Sequence, residues 1–313
     1  MIDPAILEEI KNIVTPENVY VDEPMKNHTT FRIGGNADVY VNIINEHEIL
    51  RLLRFLKNRH VPFFVIGKGS NILVSDSGYR GVIIEIGSGY SGLRMLDDVI
   101  VAKAGTPMSK LSYFAMEQEL TGLEFASGIP GTVGGGIIMN AGAYGGEMRQ
   151  VAYRVKIVTP EGEVKLLNNA QMEFEYRDSI AKKKGYIVLQ AEFRLYHGDK
   201  HIIEGIMREL NQKRKDKQPL EYPSAGSTFK RPKGNYAGKL IADAGLKGLT
   251  MGGAQVSEKH AGFLINTGNA TSEDMYRLIM TVQQKVRESF DVLLEPEVIF
   301  LGDFEPYPPE DYE

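Results

Sequence analysis

Apolar and polar residues alternate along the first part of the chain in a pattern that predicts a strand, a helix and a second strand. Residues 37–43 alternate with the period of two that half-buried strands show, whereas the apolar residues of 46–60 recur at helical spacing. The continuous apolar run 61–66 then predicts a buried strand. Further short strands are predicted at 72–74, 82–86, 151–159, 163–167 and 187–196. This order of elements predicts a protein in which helices and strands are mixed.

Residues that cap helices predict where the longer helices begin. Thr106 and Pro107 combine an N-cap hydroxyl with a proline at the first helical position, and they predict a helix that ends near Gly122. Thr271, with Asp274 three residues later, predicts a capped helix with an apolar stripe. The remaining patterns predict a helix over 201–216 and a closing strand over 292–300.

Composition narrows the chemistry open to this chain of 313 residues. Because it has no cysteine, disulfides, thiolate metal sites, iron–sulfur clusters and cysteine nucleophiles are excluded, and redox chemistry needs an organic cofactor. A formal net charge of −5 argues against nucleic acid as a partner. No apolar run approaches the roughly 20 residues of a membrane span, and the acidic N-terminus is unlike a signal peptide, so we expect a cytoplasmic protein. The six histidines are scattered, so no metal is expected.

One basic segment, 213–217, has two interpretations. Cations near the last carbonyls of a helix are commonly solvated and complement the helix dipole. The alternative is that the segment binds the phosphates of an anionic substrate, because cationic side chains beside a loop attract them strongly. The segment alone does not decide between these interpretations.

Two glycine-rich segments, 67–71 and 127–136, suggest an anion site. Without side chains, their backbone N–H groups can close on a diphosphate, although glycines in tight turns are the alternative explanation. The first segment does not fit the dinucleotide fingerprint, because a predicted strand at 72–74, and not a helix, follows it. The segment 238–240 ends in leucine where a P-loop needs a hydroxyl for magnesium, so nucleotide hydrolysis is not supported. Eight glycines between positions 128 and 146 are more than turns require, which favours a dinucleotide.

Seven motifs are spread along nearly the whole chain. They are TFRIGG at 30–35, GKGSN at 67–71, GIPGTVGG at 128–135, NAGAYG at 140–145, YRDS at 176–179, AGSTFK at 225–230 and EPEV at 295–298. In order and spacing they closely resemble the UDP-N-acetylenolpyruvoylglucosamine reductases, flavoenzymes of bacterial cell-wall synthesis. The segment between 199 and 211 is short, so the chain resembles the branch of the family that lacks an extra tyrosine-bearing loop.

The resemblance implies a fold, a domain order and a reaction. The fold is α+β, with an FAD-binding domain of the vanillyl-alcohol-oxidase type in two lobes, 1–95 and 96–212, then a smaller α+β substrate domain, 213–300, and a C-terminal tail, 301–313. The implied cofactors are non-covalent FAD and NADPH as reductant. The implied reaction reduces UDP-N-acetylglucosamine enolpyruvate to UDP-N-acetylmuramate in peptidoglycan precursor synthesis. We expect a monomer that acts on this small nucleotide sugar, without a nucleic-acid or membrane partner.

The resemblance also assigns roles to residues at the matching positions. Arg177 would hold the substrate carboxylate and stabilise developing negative charge, Ser227 would donate a proton to the α carbon, and Glu297 would support that protonation. The expected cofactor-binding residues are Gly67, Lys68, Gly69, Ser70, Asn71, Ser127, Gly128, Ile129, Pro130, Thr132, Gly134, Gly135, Asn140, Gly142 and Ala143. The expected substrate-binding residues are Tyr176, Lys217, Lys230 and Arg231.

Each catalytic assignment has a plainer alternative in the sequence itself. Arg177 could form only a surface ion pair, and Ser227 could only cap a turn. If 295–299 is a strand, Glu295 and Glu297 point to one face, so either carboxylate could serve.

Two other functions stay open at this stage. A flavoenzyme of the same fold that oxidises an alcohol or a hydroxy acid with oxygen would need a histidine or tyrosine base in place of Ser227 and Glu297. A non-catalytic module that binds nucleotide sugars would show no flavin absorbance after FAD is added.

Overall fold

The protein, described here over residues 2–307 by a computed structural model, divides into two compact units. The first unit contains the chain up to Val21, Val39–Lys68 and Gly81–Arg214. The second unit contains Asp22–Asp38, Gly69–Arg80 and the chain from Lys215 onward. The expected tail lies outside the described residues from position 308. Among residues 2–307, no helix combines the length and apolar composition needed to cross a membrane.

Several of the helices begin at residues whose side chains cap the first turn. Asn45 accepts a hydrogen bond from the amide of Glu48, and Thr271 and Asp274 form the predicted capping box, which is confirmed. The helices are α1 (Pro4–Ile13), α2 (Glu46–Asn58), α3 (Met108–Glu117), α4 (Val133–Ile138), α5 (Met148–Val151), α6 (Ile180–Lys184), α7 (Lys200–Lys217), α8 (Ala237–Asp243) and α9 (Ser272–Phe290).

The strands are short and are joined by turns rich in glycine. They are β1 (Val19–Pro24), β2 (Asn36–Asn42), β3 (Phe63–Ile66), β4 (Ile72–Val74), β5 (Tyr79–Glu85), β6 (Leu93–Leu96), β7 (Val99–Lys103), β8 (Leu120–Thr121), β9 (Gly142–Ala143), β10 (Gly146–Glu147), β11 (Ala152–Val158), β12 (Val164–Asn168), β13 (Ile187–Arg194), β14 (Tyr196–His197), β15 (Ser224–Ser227), β16 (Thr250–Met251), β17 (Ala254–Val256), β18 (Phe263–Asn266) and β19 (Ile299–Leu301). The predicted α+β class is confirmed.

The first unit is built around a five-stranded antiparallel sheet in the order β12–β11–β13–β7–β6. Val155 of β11 lies opposite Leu167 of β12 on one side and Ala191 of β13 on the other. Another sheet has the order β1–β2–β5–β3, in which β3 and β5 are parallel. Fully buried apolar side chains, including Ile137 of α4 and Phe193 of β13, join these elements in one core.

The second unit has its own core beneath a four-stranded antiparallel sheet, β15–β18–β17–β16. Leu278, Ile279 and Val282 of α9 are completely buried in this core, as is Leu264 of β18. The strands β4 and β19 add a parallel pair, with Leu73 opposite Phe300. Residues far apart in the chain therefore stabilise this unit together.

Two predicted element boundaries were wrong. The helix expected at Thr106 begins at Met108, because the Thr106 hydroxyl bonds instead to the amide and carbonyl of Gly92. The strand expected over 292–300 is only β19, Ile299–Leu301, and before it Pro296 makes a single bridge to Phe229. Proline has no amide hydrogen to extend a ladder, so the chain there is held by separate bonds.

Candidate functional site

The two glycine segments meet within the first unit at Gly67 and Thr132. A Cβ atom on Gly67 would lie 2.3 Å from the Thr132 hydroxyl oxygen, so only glycine fits at this position. The same hydroxyl accepts a hydrogen bond from the Gly135 amide at 3.4 Å and caps α4. This contact fixes the end of β3 against the start of α4.

The segment 127–136 leaves several backbone amides available. Val133 and Gly134 donate their N–H groups to the carbonyls of Thr106 and Ala104, both at 2.8 Å. Within the described part of the chain, the amides of Gly128, Gly131 and Thr132 donate no hydrogen bond. Free amides on bare glycine backbone are what a diphosphate needs, so this segment fits the FAD implied by the resemblance.

Several other glycines in this region serve packing. A Cβ atom on Gly136 would lie 2.8 Å from the Met108 sulfur, and one on Gly146 would lie 2.4 Å from the Phe125 ring. Part of the glycine excess that the sequence suggested to be ligand-related therefore comes from close packing.

Arg177 lies in the first unit beside the 140–145 segment. Its Nη2 donates to the carbonyl of Gly142 at 3.0 Å, and its guanidinium carbon is 5.2 Å from the centre of the Tyr176 ring. Its backbone has a φ of +55°, which costs energy for a non-glycine residue. Backbone carbonyls thus orient the guanidinium.

Asn140 supports this segment through its side chain. The amide nitrogen donates to the Glu175 carbonyl at 2.9 Å and to the Glu147 carboxylate at 3.2 Å, and the amide oxygen accepts from the Arg149 amide. The residue is completely buried. These bonds hold the turn that carries Gly142 and Ala143.

The second unit brings Ser227 and Glu297 onto neighbouring segments. The Glu297 amide donates to the carbonyl of Thr228 at 2.8 Å, one residue after Ser227. The side chain of Asn71 donates to the Glu297 carbonyl at 3.0 Å. Ser227 is exposed at the end of β15, where it lies opposite Phe263.

Glu295 and Glu297 have different surroundings. The Glu295 side chain is 68% exposed, and its carboxylate is 2.9 Å from the Lys230 ammonium. Glu297 is half-buried and is anchored through its backbone on both sides. The segment 295–298 is not a strand, so the condition under which both carboxylates would share one strand face is not met. The two carboxylates differ in exposure and in how their backbone is anchored.

The other predicted residues divide between the units. The guanidinium of Arg231 lies 4.0 Å from the centre of the Tyr236 ring, and Lys217 is exposed at the end of α7. Gly69 must be glycine, since its φ is +60° and a Cβ atom would lie 2.0 Å from the His28 carbonyl. The first unit holds Gly67, Lys68, Ser127, Gly128, Ile129, Pro130, Thr132, Gly134, Gly135, Asn140, Gly142, Ala143, Tyr176 and Arg177, and the second holds Gly69, Ser70, Asn71, Lys217, Ser227, Lys230, Arg231 and Glu297.

His260 is a site neighbour that the sequence did not indicate. Its Nδ1 accepts the Gly262 amide at 3.1 Å, and the carbonyl of Gly262 accepts the Thr228 amide next to Ser227. Burial lowers the pKa of His260, and the cations Lys247 and Lys217 lower that pKa further, so the ring is neutral at pH 7. No local pattern marks this residue, because the contact joins segments far apart in the chain.

Comparisons with protein families give two matches. Residues 37–168 match the FAD binding domain, and residues 218–301 match the C-terminal domain of UDP-N-acetylenolpyruvoylglucosamine reductase. These matches confirm the expected FAD cofactor. The first range contains both glycine segments, and the second contains Ser227 and Glu297.

Similarity to individual proteins extends over nearly the whole chain. A UDP-N-acetylenolpyruvoylglucosamine reductase from Caldanaerobacter subterraneus subsp. tengcongensis is 49% identical over 95% of this chain and 98% of its own length. One from Clostridioides difficile is 48% identical over 93% of this chain and 96% of its own length.

Solved structures agree with the predicted fold. The crystal structure of UDP-N-acetylenolpyruvylglucosamine reductase from Thermus caldophilus has a TM-score of 0.77 at 32% identity, and the match covers 91% of this chain and 98% of that one. An alkyldihydroxyacetonephosphate synthase has a TM-score of 0.50 at 16% identity over 63% of this chain and 41% of that chain, a likeness of fold alone. The expected FAD-domain fold with an additional C-terminal domain is confirmed.

Proposed function

Because the chain belongs to the family of UDP-N-acetylenolpyruvoylglucosamine reductases, we propose that it reduces the enolpyruvyl ether of UDP-N-acetylglucosamine to UDP-N-acetylmuramate in peptidoglycan precursor synthesis. The glycine segments would hold FAD, whose chemistry, with NADPH as reductant, would be the supply of a hydride for the substrate methylene carbon. The single observation that carries the proposal, in a chain of this family, is the hydrogen bond from the Glu297 amide to the carbonyl of Thr228. This bond holds Glu297 beside Ser227, the residue before Thr228.

Arg177 would bind the substrate carboxylate. Hydride addition to the methylene carbon leaves negative charge on the α carbon and its carboxylate, and a planar guanidinium can pair with both carboxylate oxygens. Its guanidinium also donates to the carbonyls of Gly142 and Asn140, which fix its orientation. A cation oriented before the reaction stabilises the charge without reorganising.

Ser227 would donate the proton that completes the reduction. A serine hydroxyl is a weak acid, but a carbanion is a far stronger base than water, so the transfer is feasible at an exposed hydroxyl. Glu297, on the neighbouring segment, would support that protonation, and the serine would regain its proton from solvent. One hydride and one proton then saturate the double bond.

The nucleotide sugar would be bound through cationic and aromatic side chains. Lys217, Lys230 and Arg231 would provide positive charge for the diphosphate, and Tyr176 would provide an aromatic ring. Lys230 forms a surface ion pair with Glu295. To bind a phosphate, its ammonium would have to release that carboxylate, which costs little at the surface.

Anaerobic mixing tests this proposal directly. The flavin is reduced with one equivalent of NADPH, and the UDP-enolpyruvyl sugar is then added while flavin absorbance is followed. We expect the absorbance of oxidised flavin to return without oxygen, with one UDP-N-acetylmuramate formed for each flavin. Reoxidation that requires oxygen would indicate the alternative oxidase, and the absence of bound flavin would indicate the non-catalytic module.

A further inference from the structure

The basic segment 213–217 contains one side chain that differs from its neighbours. Arg214, on the last turn of α7, is half-buried, whereas Lys213, Lys215 and Lys217 are exposed. Lys213 has an acidic partner, Glu209, at 2.5 Å. Within this segment, Arg214 is therefore the one basic side chain that is partly withdrawn from water.

Arg214 packs directly against the second glycine segment. A Cβ atom on Gly128 would lie 2.6 Å from Cδ of Arg214 and 3.3 Å from its Nε. Three residues earlier on the same face of α7, the side-chain amide of Asn211 donates to the Ser127 hydroxyl at 3.2 Å. The end of α7 is thereby fixed on 127–128, and the glycine at 128 is what allows the arginine to approach the backbone.

No carboxylate balances this guanidinium within the part of the chain that the structure describes. Burial lowers the pKa of Arg214, and the Tyr144 hydroxyl is the one group that acts in the opposite direction. Arginine still stays charged at pH 7, so a desolvated cation remains without an anion. The dipole at the C-terminal end of α7 offsets only part of that cost.

The free amides of Gly128, Gly131 and Thr132 lie in the same segment, 127–132. A phosphate group satisfies unpaired N–H donors and an uncompensated guanidinium at once. We propose that Arg214 binds a phosphate of FAD on this segment and is thus a further cofactor-binding residue. The proposal deepens the FAD part of the proposed function and does not depend on which substrate is reduced.

The test uses full-length protein from which FAD has been removed by dialysis. Titration with FAD, followed by quenching of flavin fluorescence, should give a Kd that is roughly 10- to 100-fold weaker for Arg214→Gln than for the wild type. Arg214→Lys should fall between them, because it keeps the charge but loses the planar fork. Lys213→Gln is the matched control: it removes an exposed charge from the same turn and should leave the Kd unchanged.

Two further ligands identify the group that the arginine binds. ADP should compete with FAD less well in Arg214→Gln, whereas any affinity for riboflavin, which has no phosphate, should not change. Equal losses for riboflavin and FAD would place the arginine at the flavin ring and overturn the proposal. Weakened binding of UDP with unchanged FAD affinity would overturn it as well, since the phosphate would then belong to the substrate.

The stability of the FAD-free protein separates this role from a structural one. Removing a half-buried cation that has no carboxylate partner should leave the melting temperature of FAD-free Arg214→Gln equal to or above that of the FAD-free wild type. The rise in melting temperature on adding FAD should be smaller for the variant. A variant that is less stable than the wild type without FAD, or that fails to fold, contradicts the proposal.

Discussion

Single residues in the second unit show how a reactive hydroxyl is placed. Ser227 ends a strand, and the next residue bonds both to Glu297 and to the turn that contains His260 and Gly262. The backbone next to Ser227 is thus held on both sides, while the serine side chain stays exposed.

Ser227→Ala should separate the two halves of the proposed reaction. NADPH should still bleach the flavin at the rate of the wild type, because that step needs no proton from serine. Reoxidation by the UDP-enolpyruvyl sugar should slow by about 10²- to 10⁴-fold, which stopped-flow absorbance measures. If substrate-dependent reoxidation kept its speed, Ser227 would have no role as the acid.

His260 should make the free energy of unfolding depend on pH below about 6.5. Because its pKa is lowered in the folded state, the unfolded chain binds the proton more readily, so stability is full above the unfolded pKa of about 6.5. The contribution of His260 to stability is lost as the pH falls from about 6.5 towards the lowered pKa of the folded state. The difference in melting temperature between pH 7.5 and pH 5 should be smaller in His260→Gln than in the wild type. An equal difference in both proteins would exclude this histidine as a source.

At the level of elements, α9 depends on a cap from a distant part of the chain. The Asp76 carboxylate accepts the amides of Ser272 and Glu273 at 2.9 and 3.1 Å, and the Asp76 amide donates to the Ser272 hydroxyl. The local capping box of Thr271 and Asp274 bonds other amides of the same turn. The backbone N–H groups at the start of α9 therefore find acceptors in two separate sets of hydrogen bonds, one local and one from Asp76.

Asp76→Ala should lower the free energy of unfolding by about 1–2 kcal/mol, because two amides at a helix N-terminus lose a charged acceptor. Asp76→Asn should lose less, since its amide oxygen still accepts. Denaturant unfolding of the three proteins at pH 7 measures the difference. Equal stability of Asp76→Ala and the wild type would show that water replaces the carboxylate without cost.

On the scale of the whole molecule, FAD and folding should be coupled. The segments that present free amides and Arg214 belong to the first unit, whose core also contains the neighbouring helix α4. A ligand that binds only the folded state adds about 2.7 kcal/mol of stability at a concentration a hundredfold above its Kd. FAD should therefore raise the melting temperature in scanning calorimetry, with a rise that grows with the logarithm of its concentration. A melting temperature that does not respond to FAD would contradict the coupling.

The sequence by itself determined much of this protein. Local spacing predicted a helix over 46–60, which the structure has as α2 (Glu46–Asn58), and most strands, while capping residues predicted the start of α9. These patterns are readable because they depend only on residues within the same helical turn or the same strand. Motifs spread along the chain predicted the family, the FAD cofactor and the fold. The site residues themselves stay predictions.

Only the tertiary structure decided which distant segments meet. It placed 22–38 and 69–80 with the C-terminal part of the chain, joined Asn71 to Glu297, and laid Arg214 on Gly128. It also showed that some glycines, such as Gly136 and Gly146, are needed for close packing. In the sequence, such a glycine cannot be distinguished from one that exposes its amide to an anion. The physical reason is that periodicity and caps act within a few residues, whereas hydrogen bonds and van der Waals contacts between segments depend on the path of the whole backbone.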